Sequence, residues 1–336
     1  MKFLLMGDFH RTIRTPRCRK DDYAKTQDAK ETFIQNLADT HMVAAILQPG
    51  DFFDRPTEPY DLINHIILKY SKPVCPVPVA AVFGQHDLLF HSMESKEQTP
   101  LWNLALHKVV HLLPAIPWKI APDVHIYGSS WNEEIPEIQD LNACNILLTH
   151  RMIIGSEESK LWAGQKDYTV ATELLRKYKF DLIVSGDNHR RFVADIGFRH
   201  LVNCGCIFRK SMDLANHIPA VYLYDTDTKD LEEFLVPIEP ANEVMGVKEH
   251  IKEKEVEERF LSFVEGLRDA DESFVDFLDN IKSILKDNPV SEEVINIIEG
   301  ATGYVLKNRS IAKTDRPNGK TTLRLRQTKG SSGKSN

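Results

Sequence analysis

An aspartate and a histidine stand two positions apart near the start of the chain, directly after a short apolar run. The run from Phe3 to Met6 closes with Gly7, a pattern typical of a buried strand that ends in a turn. Side chains two residues apart on an extended chain point to the same side, so Asp8 and His10 are expected to face one point. A carboxylate and an imidazole at one point are ligands for a divalent metal ion.

The same design recurs four times further along the chain. Each time, an apolar run of strand length ends in Asp, His or Gln. The residues that close these runs are Asp51, Gln85, His150, Asp187 and His189. In open α/β sheets, binding sites and catalytic residues lie at the carboxyl ends of the strands. Because five separate strand ends carry metal-ligating side chains, the pattern predicts one convergent metal site.

The ligands divide between two divalent cations. Two cations about 3.5–4 Å apart need a bridging carboxylate, and Asp51, on the second of the five strands, is assigned that role. The first cation is assigned Asp8, His10 and His189, and the second Gln85, His150 and Asp187. Mixed nitrogen and oxygen ligands without thiolate favour Mn²⁺, with Mg²⁺, Fe²⁺ or Zn²⁺ as alternatives. Such a pair would activate a shared water and hold a phosphate for in-line attack.

Three further residues are expected to assist. His86 directly follows the proposed ligand Gln85 and is therefore expected to point away from the cations, towards the leaving group of a substrate. A general acid or a hydrogen-bond donor to the transition state belongs in that place. Asp54 and Asp87 are expected to orient the ligands without touching the metals.

The loop after the first strand is basic, with five Arg or Lys in residues 11–20. Arg11 and Arg14 are the candidates there for contacts with substrate phosphates. The alternative is a solvated surface loop with no role in binding.

The composition is that of an ordinary soluble chain. It has 336 residues, 42% hydrophobic and 27% charged, with a formal net charge of −7, enough for one large domain and a smaller one. No apolar run reaches the length of a membrane span and no signal-peptide pattern is present, so we expect no membrane contact and a cytoplasmic location. The five scattered Cys indicate reduced thiols; Cys204-Gly205-Cys206 is either a buried turn or a weak metal site.

The pattern divides the chain into three parts. Residues 1–240 carry all the candidate ligands and include helical patterns at 22–41 and 60–70. Residues 241–306 are rich in charge, with apolar positions at helical spacing, which is typical of two or three amphipathic helices. Residues 307–336 contain nine Lys or Arg against one Asp and are expected to be disordered. This tail either touches nucleic acid or is simply solvated.

Taken in order, the strand-end motifs resemble those of the calcineurin-like metallophosphoesterase superfamily. They are Gly7-Asp8-x-His10, Gly50-Asp51-x-x-Asp54, Gly84-x-His86-Asp87, a strand-terminal His150 and Gly186-x-x-His189. The resemblance covers residues 1 to about 225. It implies an α/β fold of four layers, a sandwich of two mixed sheets flanked by helices, to which this chain adds a C-terminal helical module.

Within that superfamily the chain looks most like DNA exonuclease subunits of the SbcD/Mre11 type, including phage versions. The grounds are the early first motif, Gly50-Asp51-Phe52-Phe53-Asp54, His86-Asp87-Leu88 and the helices after the catalytic domain. The resemblance implies DNA as substrate and an SbcC/Rad50-type ATPase as partner, docked on residues 241–306. A homodimer stays open as a further assembly. Arg209 stands where the family often has an Arg, which makes it a candidate phosphate contact.

Two ligand positions depart from the family pattern. The family has Asn where this chain has Gln85, and usually His where it has Asp187, and both fall on the second cation. Gln adds a methylene, so the backbone must shift for its oxygen to reach. Asp adds charge and hardness, which favours Mn²⁺ or Mg²⁺ over Zn²⁺. An active enzyme is still expected, because both residues offer oxygen.

The main hypothesis is therefore a metal-dependent DNA exonuclease or endonuclease subunit for repair or recombination. The first alternative is a small-molecule phosphodiesterase or a phosphoprotein phosphatase with the same core. The second is a non-catalytic scaffold that keeps a metal shell.

Overall fold

The computed structural model describes residues 1–71, 76–161 and 165–246. The α-helices in these ranges are α1 (Tyr23–Thr40), α2 (Tyr60–Tyr70), α3 (Pro100–Leu106), α4 (Ala171–Lys177) and α5 (Ala241–Val244). The strands are β1 (Lys2–Leu5), β2 (Ala45–Gln48), β3 (Val79–Ala81), β4 (Val110–Leu112), β5 (Trp118–Ala121), β6 (Val124–Ser129), β7 (Cys144–His150), β8 (Ile153–Ile154), β9 (Thr169–Val170), β10 (Leu182–Gly186), β11 (Phe192–Ile196), β12 (Arg199–Asn203), β13 (Ala220–Asp225) and β14 (Leu231–Leu235).

The first sheet has six strands in the order β14-β13-β1-β2-β3-β4. Strands β1 to β4 run parallel, as the connections through α1, α2 and α3 require. The hairpin of β13 and β14 pairs antiparallel with β1 and closes one side of the sheet. The carboxyl ends of β1, β2 and β3 therefore meet at one edge.

The second sheet also has six strands, in the order β11-β12-β10-β7-β6-β5. Its four central strands are parallel, and β5 and β11 pair antiparallel at its two sides. Strands β8 and β9 form a separate two-stranded ladder. The carboxyl ends of β7 and β10 are neighbours, so each sheet brings its own ligands to one edge.

Alternate residues of the strands pack on opposite faces, and this builds four layers. On β1, Phe3 and Leu5 are buried in the core between the two sheets, whereas Leu4 packs outward with α1 and α2. On β10, Val184 faces the first sheet and Ile183 packs with α4. Full burial of such a side chain contributes about 1.5–3 kcal/mol. The fold is the predicted α/β sandwich of two mixed sheets between helices.

The two helices predicted in the first part of the chain are present. The helix expected at 22–41 is α1, and Asp22 caps its first turn by accepting a hydrogen bond from the Lys25 amide at 3.1 Å. The helix expected at 60–70 is α2. Both pack their apolar side chains on the outer face of the first sheet.

The predicted helical module and basic tail lie outside the described residues, apart from the segment 241–246 that includes α5. Among the helices that are described, none combines the length and the apolar character needed to traverse a bilayer.

Candidate metal centre

The segment after β1 delivers Asp8 and His10, but not by the extended geometry that the sequence suggests. The strand ends at Leu5, and the backbone of His10 has a positive φ of 49°. Instead, the amides of Phe9 and His10 both donate to the Asp51 carbonyl oxygen, at 3.1 and 2.8 Å. These two hydrogen bonds fix the first loop to the loop after β2.

Asp51 follows β2 and is fully buried. Its φ of 51° is uncommon for a residue with a Cβ atom, and its Oδ1 accepts the His86 amide at 2.8 Å. Gly84, in the loop after β3, packs so closely that a Cβ there would lie 2.1 Å from Asp51 Oδ1. Only glycine at this position allows the two loops to meet.

Asp8, His10 and His189 form one group of ligand atoms, all within 4.8 Å of one another. His10 Nε2 and His189 Nε2 are 3.0 Å apart, and His189 Nε2 is 3.8 Å from Asp8 Oδ2. Asp8 and His10 are buried, whereas 29% of the His189 side chain is exposed. The structure thus brings together the three residues that the sequence assigns to the first cation.

His10 and Asp51 form a second group of this kind with His86. The His86 ring stands edge-on to that of His10, with centroids 4.7 Å apart. The structure therefore places His86 beside the ligands, where the sequence argument expected it to point away from them. Its Nδ1 lies 2.9 Å from the Asp54 carbonyl oxygen, which leaves Nε2 available for metal or substrate.

His150, at the end of β7, approaches Asp51 from the second sheet. Its Nδ1 donates to the Pro49 carbonyl oxygen at 2.7 Å, and its Nε2 lies 3.4 Å from Asp51 Oδ2. Against the effect of burial, the charge of Asp51 raises the pKa of His150 to about 10, so Nε2 also keeps a proton at neutral pH. A bound cation would take the place of that proton, and metal-bound histidines are held in this way through their other nitrogen.

Gln85 and Asp187, assigned with His150 to the second cation, contact each other. Gln85 Nε2 donates to Asp187 Oδ1 at 2.7 Å, and the Asp187 amide donates to Asp8 Oδ2 at 3.0 Å. The backbone of Asp187 has a positive φ of 76°. The two departures from the family pattern therefore form one hydrogen-bonded pair beside the first group of ligands.

Asp87 holds the loops after β2 and β3 together. Its carboxylate accepts hydrogen bonds from the amides of Phe52, Phe53 and Gly84, at 3.2, 2.9 and 3.0 Å. Burial, with the charge of Asp51, raises its pKa to about 7. Asp87 thus ties the two loops that carry Asp51 and Gln85 to each other from within the protein.

Asp54 lies at the edge of the site, next to a residue that the sequence argument missed. Its Oδ1 is 3.6 Å from His10 Nδ1 and 2.7 Å from Lys210 Nζ. Lys210 carried no signal of its own, because it follows the second sheet in a segment without a ligand motif. The pair places a cationic side chain beside His10.

Burial and neighbouring charges shift the pKa values of the ligands in opposite directions. Burial, with the charge of Asp51, holds the pKa of Asp8 well above its ordinary value. Against the effect of burial, the charge of His150 holds the pKa of Asp51 far below its ordinary value. Burial lowers the pKa of His189 to about 4 and that of His10 well below its usual range. The ionised Asp51 and the neutral His10 and His189 are in the protonation states that metal binding requires, whereas His150 would release a proton when a cation binds.

Several buried polar atoms of the candidate ligands lack a hydrogen-bond partner among the described residues. They are Asp8 Oδ1, His10 Nδ1, Asp51 Oδ2, Gln85 Oε1 and His150 Nε2. An unpaired buried polar group costs about 1–3 kcal/mol, so a concentration of them at one place indicates a ligand. Divalent cations fit this donor set of carboxylate, amide oxygen and imidazole.

Two of the three predicted phosphate contacts are not supported by the structure. Only 2% of Arg11 is exposed, and its guanidinium pairs with Asp28 at 2.5 Å and Glu31 at 3.1 Å on α1. Arg209 is equally buried and donates to the carbonyl oxygens of Ala215 and Glu239. Both guanidinium groups are used to hold the fold together. Arg14, by contrast, is exposed.

The segment Cys204-Gly205-Cys206 is a buried turn. Gly205 has a positive φ of 70°, and Cys206 Sγ donates to the Phe208 carbonyl oxygen at 2.9 Å. Neither thiol belongs to the ligand groups found among the described residues. The turn supports the site from behind, since the Asp8 amide donates to the Gly205 carbonyl oxygen at 3.2 Å.

Solved structures with a similar fold include several phosphoesterases. An archaeal phosphodiesterase is 15% identical, with 70% of this chain and 99% of that chain covered and a TM-score of 0.38. A dimetal phosphatase from Danio rerio is 11% identical, with 71% and 99% covered and a TM-score of 0.44. Vps29 of Entamoeba histolytica, complexed with Zn²⁺, is 13% identical, with 70% and 100% covered and a TM-score of 0.32. Likenesses this distant say nothing about the substrate.

No curated protein matches the chain. The family model for calcineurin-like phosphoesterases matches residues 1–191, which include every one of the candidate metal ligands. With the sheets, the strand-end loops and the ligand groups as described, the chain belongs to the calcineurin-like phosphoesterase family.

Proposed function

We propose that the chain is a metal-dependent DNA nuclease subunit that cleaves phosphodiesters in repair or recombination. One observation carries the hydrolytic part: Asp8, His10 and His189 present their ligand atoms within 4.8 Å of one another where the two sheets meet, and Asp51 and His86 lie beside His10. Membership of the calcineurin-like phosphoesterase family supports a phosphate ester as substrate. The DNA specificity rests on the resemblance to SbcD/Mre11-type nucleases.

The proposal gives each ligand a role. Asp51 would be the bridging carboxylate, which is supported by the approach of His10 to 3.5 Å and of His150 to 3.4 Å from its Oδ2. Asp8, His10 and His189 would hold one cation, while His150, Gln85 and Asp187 would hold the other. When bound, a pair of divalent cations, Mn²⁺ as first choice, supplies an activated water and neutralises charge on the phosphate.

His86 is the candidate catalytic residue. Its amide is held by Asp51 Oδ1 and its Nδ1 by the Asp54 carbonyl oxygen, at 2.8 and 2.9 Å. These contacts fix the ring and leave Nε2 free. A protonated Nε2 donates a hydrogen bond to the charge that develops on the phosphate or a proton to the leaving oxygen.

An exposed aromatic side chain four residues after His86 supports a nucleic acid as substrate. This residue, Phe90, is 95% exposed. Phe90 and His91 both have a φ of 54°, a conformation that costs energy outside glycine. Exposed aromatic rings serve as stacking platforms for nucleobases in proteins that bind single strands.

The partner and the assembly are part of the same proposal. The resemblance to SbcD/Mre11-type subunits supports an SbcC/Rad50-type ATPase as partner, which would dock on residues 241–306. The protein would work in the cytoplasm. Amphipathic apolar spacing within that segment supports a helical docking surface. A homodimer is the alternative assembly.

The direct test is Mn²⁺-dependent degradation of end-labelled linear DNA. We expect the wild type to degrade it and His86→Ala to lose about 100-fold or more in rate, the usual loss when a general acid is removed. His107→Ala is the matched control, because His107 is exposed at the end of α3. This variant should retain the wild-type rate.

The other outcomes separate the alternatives. Hydrolysis of a chromogenic phosphodiester but not of DNA would replace the nuclease with a small-molecule phosphodiesterase. Hydrolysis of a phosphoprotein alone would indicate a phosphatase. A protein that binds Mn²⁺ and hydrolyses none of these would be a scaffold.

A further inference from the structure

A cavity of about 380 Å³ opens beside the candidate metal centre. Two residues connect it to the centre, because His10 and Asp54 line it as well. His10 belongs to both groups of ligand atoms, and Asp54 accepts the hydrogen bond that orients His86. A molecule in the cavity therefore lies next to the reacting phosphate.

The lining of the cavity is strongly cationic. Arg14, Arg17, Arg55 and Lys210 contribute to it, against Asp54 as the single carboxylate of the lining. Asp54 is already paired with Lys210 at 2.7 Å. The three arginines have no salt bridge with any residue that the structure describes, and all three are exposed. Their charge is available to a ligand.

The basic loop divides its arginines between two roles. Arg11 and Arg19 turn inward, the first onto α1 and the second onto Asp21 at 2.6 Å, and both are buried. Arg14 and Arg17 lie between them and line the cavity. Because Arg11 and Arg19 bind the loop to the fold on either side, Arg14 and Arg17 are positioned at the cavity.

A buried hydroxyl supplies a further donor. Tyr23 is 1% exposed and lines the cavity, yet its hydroxyl has no hydrogen-bond partner among the described residues. Burial raises the pKa of this hydroxyl above its ordinary value, so it keeps its proton. An unpaired buried donor beside unpaired guanidinium groups is the donor set that a phosphate accepts.

We propose that the cavity is a second phosphate subsite, which holds the phosphate next to the one being cleaved. The substrate class is then a nucleic-acid strand with adjacent phosphates rather than a compound with one isolated phosphodiester. This inference rests on the proposed function, since it assigns the neighbouring phosphate of the same substrate. Arg14 and Arg17 are its principal contacts.

The test compares two substrates that differ by one phosphate. The thymidine dinucleoside monophosphate carries a single phosphate. The thymidine trinucleoside diphosphate, called the trinucleotide below, carries two. We expect wild-type protein with Mn²⁺ to prefer the trinucleotide about tenfold in kcat/KM, mainly through KM, which corresponds to about 1.4 kcal/mol. In Arg14→Gln/Arg17→Gln the preference should fall towards one.

A matched variant controls for net charge. Arg176→Gln/Lys177→Gln removes two cationic side chains that are exposed on α4, on the far side of the second sheet. It should keep the wild-type preference. Equal preference for the two substrates in the wild type, or an unchanged preference in Arg14→Gln/Arg17→Gln, would overturn the inference.

A binding measurement separates this inference from the proposed function. Fluorescence anisotropy of a labelled single-stranded oligonucleotide in EDTA needs no hydrolysis. Weaker binding by about tenfold in Arg14→Gln/Arg17→Gln, but not in the α4 control, would support the subsite even if no preparation cleaves DNA. Equal binding by all three proteins would reject the subsite and leave the hydrolytic proposal to its own test.

Discussion

Gln85 and Asp187 are the two positions where the sequence departs from the pattern that it resembles, and Gln85 donates a hydrogen bond of 2.7 Å to Asp187. The Gln85 side chain is long enough to reach the carboxylate. The contact therefore joins the two departures into one local change. At the scale of single residues, the two side chains proposed for the second cation form a pair.

The pair should behave as a unit when it is changed. We expect Gln85→Asn and Asp187→His each to weaken Mn²⁺ binding, and the double variant with the family pattern to recover part of the loss. Residues in contact show coupling energies of about 0.5–3 kcal/mol. Calorimetric titration of Mn²⁺ into the four proteins measures this coupling, and strictly additive losses would show that the two residues act independently.

At the scale of elements, the ligands stand on loops whose backbones are tied to one another. The amides of Phe9 and His10 bond to the Asp51 carbonyl oxygen, and Asp87 binds the amides of both neighbouring loops. Gly84 allows the closest of these approaches. The loops are short and their ends are fixed by buried strands, so small changes in them should be costly.

Gly84→Ala tests this arrangement. The added Cβ would lie 2.1 Å from Asp51 Oδ1 and 2.3 Å from the Asp51 amide nitrogen, and overpacking of this kind costs about 1–3 kcal/mol. We expect a lower free energy of unfolding and weaker Mn²⁺ binding. Gly155→Ala is the control, because its Cβ would meet Phe192 at an ordinary 3.4 Å. Equal losses of stability and of Mn²⁺ binding in the two variants would mean that Gly84 and Asp51 are not tightly packed.

A buried lysine on α1 makes the stability depend on pH. Burial lowers the pKa of Lys30 to about 7, and its Nζ donates to the Ile207 carbonyl oxygen at 2.9 Å. Between pH 7 and 10 the unfolded chain binds the proton and the folded chain does not, so stability rises with pH. The rise from pH 7 to pH 9 should be on the order of 2 kcal/mol.

Denaturant unfolding of the wild type and Lys30→Met at both pH values measures this contribution. The other titrating groups are common to both proteins, so their effects cancel in the difference. We expect a shallower rise with pH in Lys30→Met. Parallel pH profiles would show that the Lys30 amine titrates alike in the folded and unfolded chains.

Much of the fold could be predicted because its elements follow local patterns. Apolar runs that end in Gly, Pro or a candidate ligand marked the strands that carry the ligands, and helical spacing marked α1 and α2. What could not be predicted depends on distant partners. The burial of Arg11 becomes visible only when α1 places Asp28 and Glu31 beside it. The position of Lys210 beside Asp54 has the same cause.

The sequence names the residues of the candidate site but does not give their geometry. The sequence named Asp8 and His10 as partners, yet a positive φ at His10 and hydrogen bonds to Asp51 bring them together. The two-residue alternation of side chains on a strand does not predict a left-handed backbone at His10. The position of His86 beside the ligands also depends on a distant partner, because the His86 amide donates a hydrogen bond to Asp51 Oδ1.

At the scale of the whole molecule, the centre joins the two sheets. Asp8, His10 and Asp51 come from the first sheet, while His150 and His189 follow strands of the second. Their ligand atoms meet beside the apolar core that packs between the two sheets. Bound cations would therefore link the two halves of the sandwich and set the distance between them.

The central claim is a pair of divalent cations bridged by Asp51, and electron paramagnetic resonance of the Mn²⁺-titrated protein tests it most directly. Two Mn²⁺ ions that share a carboxylate about 3.5–4 Å apart are magnetically coupled. We predict two bound Mn²⁺ per chain with the spectrum of a coupled pair, and loss of the coupling in Asp51→Asn. A spectrum of isolated Mn²⁺, or the absence of bound Mn²⁺ in the wild type, would contradict the account.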